Sequence, residues 1–253
     1  MPNNQLPNAT LLSLVLASFL GLASLALLVL NPTTSADGFA FRKPLIGSVF
    51  LSICVLGGLA VILPKECNSL FGSQEKSKSF SFHSASSGNQ VLKGHHVDCE
   101  RFLPHTMKAG GRVLCAACSG LFLGALIAIA GTVAYFFLGL DFGQSVGFFV
   151  TAGVGLVALG FVQFKFPGLA RLLVNAFFVV GASSILLGVD ALLQNLLIDL
   201  YIISLVLLWI MTRILLSQWD HSRICRSCTN ECEMRNREGL LSASHSVESA
   251  NDD

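Results

Sequence analysis

The chain has 253 residues and a net charge of +1; 53% of it is hydrophobic and only 12% charged, at a mean hydropathy of +0.69. A soluble domain carries about 25% charged residues, so this surface cannot all face water. The near-zero net charge also leaves no bulk electrostatic basis for a nucleic-acid partner. What remains is an all-α membrane protein whose main partner is the lipid bilayer.

Residues 11–30 are the first uncharged apolar run, long enough to cross about 30 Å of hydrocarbon. No Lys or Arg precedes it, and it exceeds the roughly 7–15 residues of a signal-peptide core, so it reads as a retained helix. Residues 45–63 form a second run between Pro44 and Pro64, and proline suits helix ends. Together, residues 1–64 make an N-terminal helical hairpin. Residues 65–94 are polar and Ser-rich, the composition of a flexible linker.

Residues 95–120 hold six candidate metal ligands: His95, His96, Cys99, His105, Cys115 and Cys118. The Cys115-Ala-Ala-Cys118 spacing lets two sulfurs converge on one ion, and borderline-soft zinc favours thiolate. Gly110 and Gly111 suit a tight backbone approach just before that pair. Residues 121–217 follow as a four-helix transmembrane bundle, with spans at 121–140, 146–164, 172–189 and 200–216. The polar residues Asp190, Gln194, Asn195 and Asp199 favour a hairpin over one long helix between the last two. About six transmembrane helices result.

Small residues recur every four positions at Gly120, Gly124 and Ala128, and again at Gly143, Gly147, Thr151 and Gly155. Both registers predict close helix packing in a compact bundle. Asn175 and Gln163 are expected to hydrogen-bond between helices, whereas Asp190 and Asp199 are expected at the membrane boundary, exposed to the interface.

Six spans place fourteen of the sixteen Lys and Arg residues on one side and only Arg42 and Lys43 on the other. The positive-inside rule then puts both termini, the Cys/His-rich loop and the tail in the cytoplasm, with the cell (plasma) membrane as the location. In that reducing compartment cysteines favour metal binding or thiol redox chemistry over structural disulfides.

The cytoplasmic tail, residues 218–253, carries a second cluster: His221, Cys225, Cys228 and Cys232. Three thiolates and one imidazole would complete a tetrahedral zinc site if the chain turned there. A continuous helix would spread the four over about 16 Å. Ser222, Ser227, Thr229 and Asn230 favour turns. Zinc is the expected cofactor and an iron–sulfur cluster the lesser choice. The two clusters either hold separate ions or share one. No catalytic constellation stands out.

Cys99-x-Arg101, followed by Cys115-Ala-Ala-Cys118-Ser-Gly120-Leu-Phe-Leu-Gly124 at a helix start, resembles a prokaryotic family of small integral membrane proteins. That family is classed as a domain of unknown function. Its pattern is Cys-x-Arg, then Cys-Ala-x-Cys-x-Gly, and the resemblance spans residues 95–215. The position between the cysteines is often Arg in the family but is Ala117 here. The resemblance implies a membrane protein and brings no activity with it.

Three functional classes stay open. The leading one is a structural or regulatory membrane protein with a cytoplasmic zinc site. The others are a small ion or metal transporter or channel with a metal-sensing loop, and a membrane thiol-redox or zinc enzyme.

Overall fold

The structure, a computed structural model, describes residues 8–30, 39, 41–62, 105–109, 112–140 and 143–226. Six helices account for most of them: α1 (Asn8–Leu30), α2 (Arg42–Ile62), α3 (Ala116–Phe136), α4 (Val146–Phe161), α5 (Gly168–Leu193) and α6 (Leu196–Arg226). A short antiparallel hairpin, β1 (Thr106–Ala109) and β2 (Arg112–Cys115), leads directly into α3. Five of the helices are long and apolar enough to cross a membrane. The sixth, α4, is a shorter apolar helix of 16 residues flanked by 3-10 turns at Gly143–Ser145 and Gln163–Lys165. Apolar helices of this kind suit a lipid bilayer.

The expected spans at 11–30 and 45–63 match α1 and α2, and the four later spans match α3 to α6. The last two are a helical hairpin, broken at Gln194, which adopts a left-handed backbone (φ 46°) and donates its N–H to the Asp190 carbonyl at 3.0 Å. The side chain of Asn195 then accepts from the N–H groups of Leu197 and Ile198. Asn is a favoured helix N-cap, because its side chain satisfies amides that the first turn leaves unpaired.

Helix α5 is the axis of the bundle, the most enclosed of the spans, packed by α3, α4 and α6. Its contacts depend on missing side chains. A Cβ at Gly120 would sit 2.1 Å from the Leu172 carbonyl oxygen, and one at Gly124 would sit 2.6 Å from that of Ala176. Gly120 and Gly124 therefore form the α3–α5 seam, and Ala128 of the same register is buried. The second expected register is corrected: Gly147 and Gly155 meet nothing within 4 Å. Helix α4 instead packs through Gly153, whose Cβ would lie 2.7 Å from the Gly181 carbonyl, and through Gly160 against Phe178. Either set obeys four- or seven-residue helical spacing, so the period alone does not choose the face.

The outer helix α1 is tied to α6 by Ser18–Thr212 at 2.9 Å, Ser24–Tyr201 at 2.7 Å, and the Trp209 indole donating to the Ser18 carbonyl. Such hydrogen bonds between helices have few competing partners in hydrocarbon.

The two aspartates expected at an exposed boundary are fully buried. Arg42, at the start of α2, donates to Asp190 of α5 and, at 2.6 Å, to Asp199 of α6, while the Tyr135 hydroxyl of α3 donates to Asp190 at 2.7 Å. The guanidinium thus joins three helices, and Tyr135 brings in a fourth through Asp190. The reason is cost: a charged group at membrane depth is tolerated when it faces the interior and finds an opposite charge.

Two outcomes are expected from this packing. Gly120→Val should destabilise the detergent-solubilised protein by more than about 2 kcal/mol, because the clash is with backbone. Gly147→Val should leave the thermal midpoint within a degree or two; equal losses in the two variants would remove α5 as the axis. Arg42→Met should cost about 3–5 kcal/mol by stranding two buried carboxylates. Asp199→Asn should cost less, since Arg42 and Asp190 stay paired, and thermal unfolding monitored by circular dichroism orders the two.

Candidate functional site

At the opposite end of the bundle, β2 and α3 position the cysteines. The register Thr106↔Cys115 to Ala109↔Arg112 leaves only Gly110 and Gly111 between the strands. Cys115 ends β2 with an extended backbone (φ −70°, ψ 117°) and is the N-cap of α3; Cys118 lies in the first helical turn. The helix begins here, five residues before the expected span, because the cysteine motif itself forms the first turn.

Both sulfurs belong to free, exposed cysteines and face a cavity of about 120 Å³. Its walls also include His105, Gln163, Arg171, Arg213 and Asp220. The Cys115 thiol is lowered to about 6, chiefly by the hydrogen bond from the Cys118 thiol. Backbone N–H groups of Cys118 and Ala117 and the charge of Arg171 act in the same direction, against the opposing effect of burial. A thiolate at a helix N-terminus beside a cation is the setting in which cysteine becomes a nucleophile at neutral pH.

Arg171 opens α5 and is buried. It donates to Nδ1 of His105, to the Gln163 carbonyl oxygen at 3.3 Å, and to Asp220 of α6 at 3.3 Å. Arg213 of α6, equally buried, donates at 2.9 Å from Nε to Asn175 Oδ1 and at 3.0 Å from Nη2 to Gln163 Oε1. The expected interhelical role of Asn175 and Gln163 is what these contacts provide. Among the described residues no carboxylate pairs with Arg213. Pinning Oε1 leaves Gln163 Nε2 buried and without a hydrogen-bond partner.

Of the ten metal-ligand candidates, the cavity collects three: His105, Cys115 and Cys118. The His105 ring is turned onto Arg171, and among the described residues no group of three or more His, Cys, Asp or Glu side chains is placed to hold a metal. His221 and Cys225 fall on the last turns of α6, which continues to Arg226. The turn expected around Ser222 is therefore absent, and these two residues stand one helical turn apart. Their side chains, together with His95, His96, Cys99, Cys228 and Cys232, lie outside the described residues, as do Arg101 and the linker.

The positive-inside count took Arg171 and Arg213 simply as charges on the cytoplasmic side, and Asp220 was passed over. A signal was present for Arg213. It sits inside the apolar run 200–216, and an ionisable residue within a span marks a functional site by default. Compared with protein-family models, curated proteins and solved structures, the chain matches none of them.

Proposed function

We propose that this chain is an integral membrane protein whose working element is the Cys115–Cys118 dithiol, acting in thiol–disulfide exchange. One observation carries the reading: Cys115 is the N-cap of α3, and Cys118 is one turn on, within hydrogen-bond reach of it. The same arrangement gives a nucleophile and a resolving thiol in a single helical turn.

The Cys115 thiolate attacks one sulfur of a partner disulfide, forming a mixed disulfide and releasing the other sulfur as thiolate. Cys118 then gives up its proton and attacks the Cys115 sulfur, and the second partner thiolate leaves. The product is a Cys115–Cys118 disulfide, and two electrons pass from the dithiol to the partner. Reduction by any thiol pool reverses it. Arg171 steadies the attacking thiolate, and Asp220 and His105 hold Arg171 in place.

The orientation that supports this reading puts the dithiol on the cytoplasmic side, with six spans and α4 as the short one. Three arginines leave the positive-inside count, because Arg42, Arg171 and Arg213 are buried and paired or amide-bound. Twelve basic residues then remain on the dithiol side against Lys43 alone, so the bias grows sharper. A cytoplasmic dithiol rests in its reduced form, and disulfides there are transient, catalytic or sensory.

Zinc is the second reading, favoured by the fact that both sulfurs open into one cavity that His105 also lines. Cys115 and Cys118 would supply two thiolates. His95, His96, Cys99, Cys225, Cys228 or Cys232 would have to complete a closed tetrahedral set, which would staple loop and tail to the bundle.

Iodoacetamide labelling of Cys115 across pH separates the two. A thiol lowered to about 6 is thiolate above that pH, so alkylation should be near its maximum at pH 7 and fall through a midpoint near pH 6. An ordinary cysteine has its midpoint near about 8.5. Cys118→Ala should move the midpoint upward. Oxidised glutathione should convert the 115–118 peptide to a disulfide about 2 Da lighter, and in Cys118→Ala should stop at a mixed disulfide on Cys115. A midpoint at or above pH 8 with no disulfide formed would refute the exchange reading. The zinc reading predicts instead one or two equivalents of zinc by elemental analysis, with Cys115 protected from alkylation until a chelator removes the metal.

A further inference from the structure

We infer that the cavity between Cys118 and Arg213 is a binding site for a phosphate-type oxyanion, carried either by a free phosphate or by the headgroup of an anionic lipid. This rests on the arginine and amide geometry alone and stands whether or not the dithiol exchanges.

The charge balance sets the two arginines apart. Arg171 has a carboxylate in Asp220, whereas Arg213 has none among the described residues: it donates to the neutral amides of Asn175 and Gln163, lies over the Phe178 ring, and has the Cys118 and Cys115 sulfurs as its charged neighbours. A buried guanidinium without a carboxylate partner is costly, and natural sites offset that cost with a carboxylate or a bound anion. At the other end of the same bundle, Arg42 has two carboxylates.

Gln163 is the second, independent observation. It lines the cavity, its residue is 4% exposed, and its Nε2 has no hydrogen-bond partner while Arg213 fixes its Oε1. The amide therefore cannot reverse without breaking the arginine contact, and what it leaves unfilled is a donor. A buried unpaired N–H of this kind carries its full desolvation cost until an acceptor arrives. The N-termini of α3 and α5 close the same end of the bundle, and their dipoles add positive potential there.

The space suits a group larger than water. About 120 Å³ is well above the roughly 10–15 Å³ that one water needs. Asp220 is paired with Arg171, so an oxyanion seats toward Arg213 and the free Gln163 Nε2 donor. Arg213 lies in the last third of the α6 span, toward its C-terminal end.

The test uses the full chain, delipidated in a non-ionic detergent, with thermal unfolding as the readout. One arm titrates inorganic phosphate against chloride at constant ionic strength. The other uses mixed micelles containing phosphatidic acid or, as control, phosphatidylcholine. A saturable rise in Tm of several degrees with phosphate indicates a free ligand; a rise only with phosphatidic acid indicates the headgroup. No rise in either arm overturns the proposal. Gln163→Glu is the decisive variant, because the new carboxylate is nearly isosteric, accepts from Arg213 and repels an anion. It should fold with an equal or higher Tm in chloride and weaken the phosphate or phosphatidic acid response at least tenfold. A response that survives unchanged in Gln163→Glu would also overturn the proposal. Alkylation of Cys115 in the same samples reports on the thiol independently.

Discussion

The structure depends on how closely α3 and α4 approach α5. In lipid the apolar surfaces of helices gain little by leaving their solvent, so association must come from packing and from hydrogen bonds between helices. Gly120 lets α3 lie against the Leu172 carbonyl, and Gly153 and Gly181 let α4 lie against the other side of α5. These contacts are backbone on backbone and cannot be relieved by a rotamer change. The remaining polar groups take their positions from the spacing this fixes.

The same tight packing dehydrates the charged residues at both ends, and the two ends resolve that cost differently. Around Arg42, four helices bring together a guanidinium, two carboxylates and a tyrosine hydroxyl. That arrangement holds helix ends together and satisfies nearly all its members, leaving only Asp199 Oδ1 without a partner. Around Arg213 the partners are amides and the cavity stays open. Structural economy explains the first cluster. It does not explain the second, where the Gln163 Nε2 donor stays unpaired beside a buried cation, and that asymmetry is why we propose a site at the cysteine end.

The cysteine pair gains its character from the start of α3 rather than from the residues between the sulfurs. The β1–β2 hairpin delivers Cys115 in extended conformation, and the helix that follows turns Cys118 back toward it. Thiolate stabilisation then comes from groups that are already in place: the Cys118 thiol, two backbone amides and Arg171. A zinc knuckle and an exchange dithiol share this local geometry, and the number of further ligands that reach the two sulfurs decides between them.

Much of this protein was legible in the chain. Uncharged runs located the helices, Gln194–Asn195 lay within the polar stretch that separated the last pair, and the Gly120–Gly124–Ala128 spacing marked a true seam. Those features are local or periodic, and a single segment carries them. The register of α4 was not legible, because Gly147–Thr151–Gly155 and Gly153–Gly160 are equally periodic and only the neighbour selects between them. Asp190 and Asp199 were misread as interfacial charges, and Arg171 and Arg213 were only counted with the positive side, since each lies near the end of an apolar run where solvent is the default. Their burial follows from partners 38 to 157 residues away. Sequence alone fixed which residues could enter the membrane and which cysteines stand together. Tertiary packing decided which charges lose water and with what they pair, because desolvation is a property of the assembled neighbours and of no single segment.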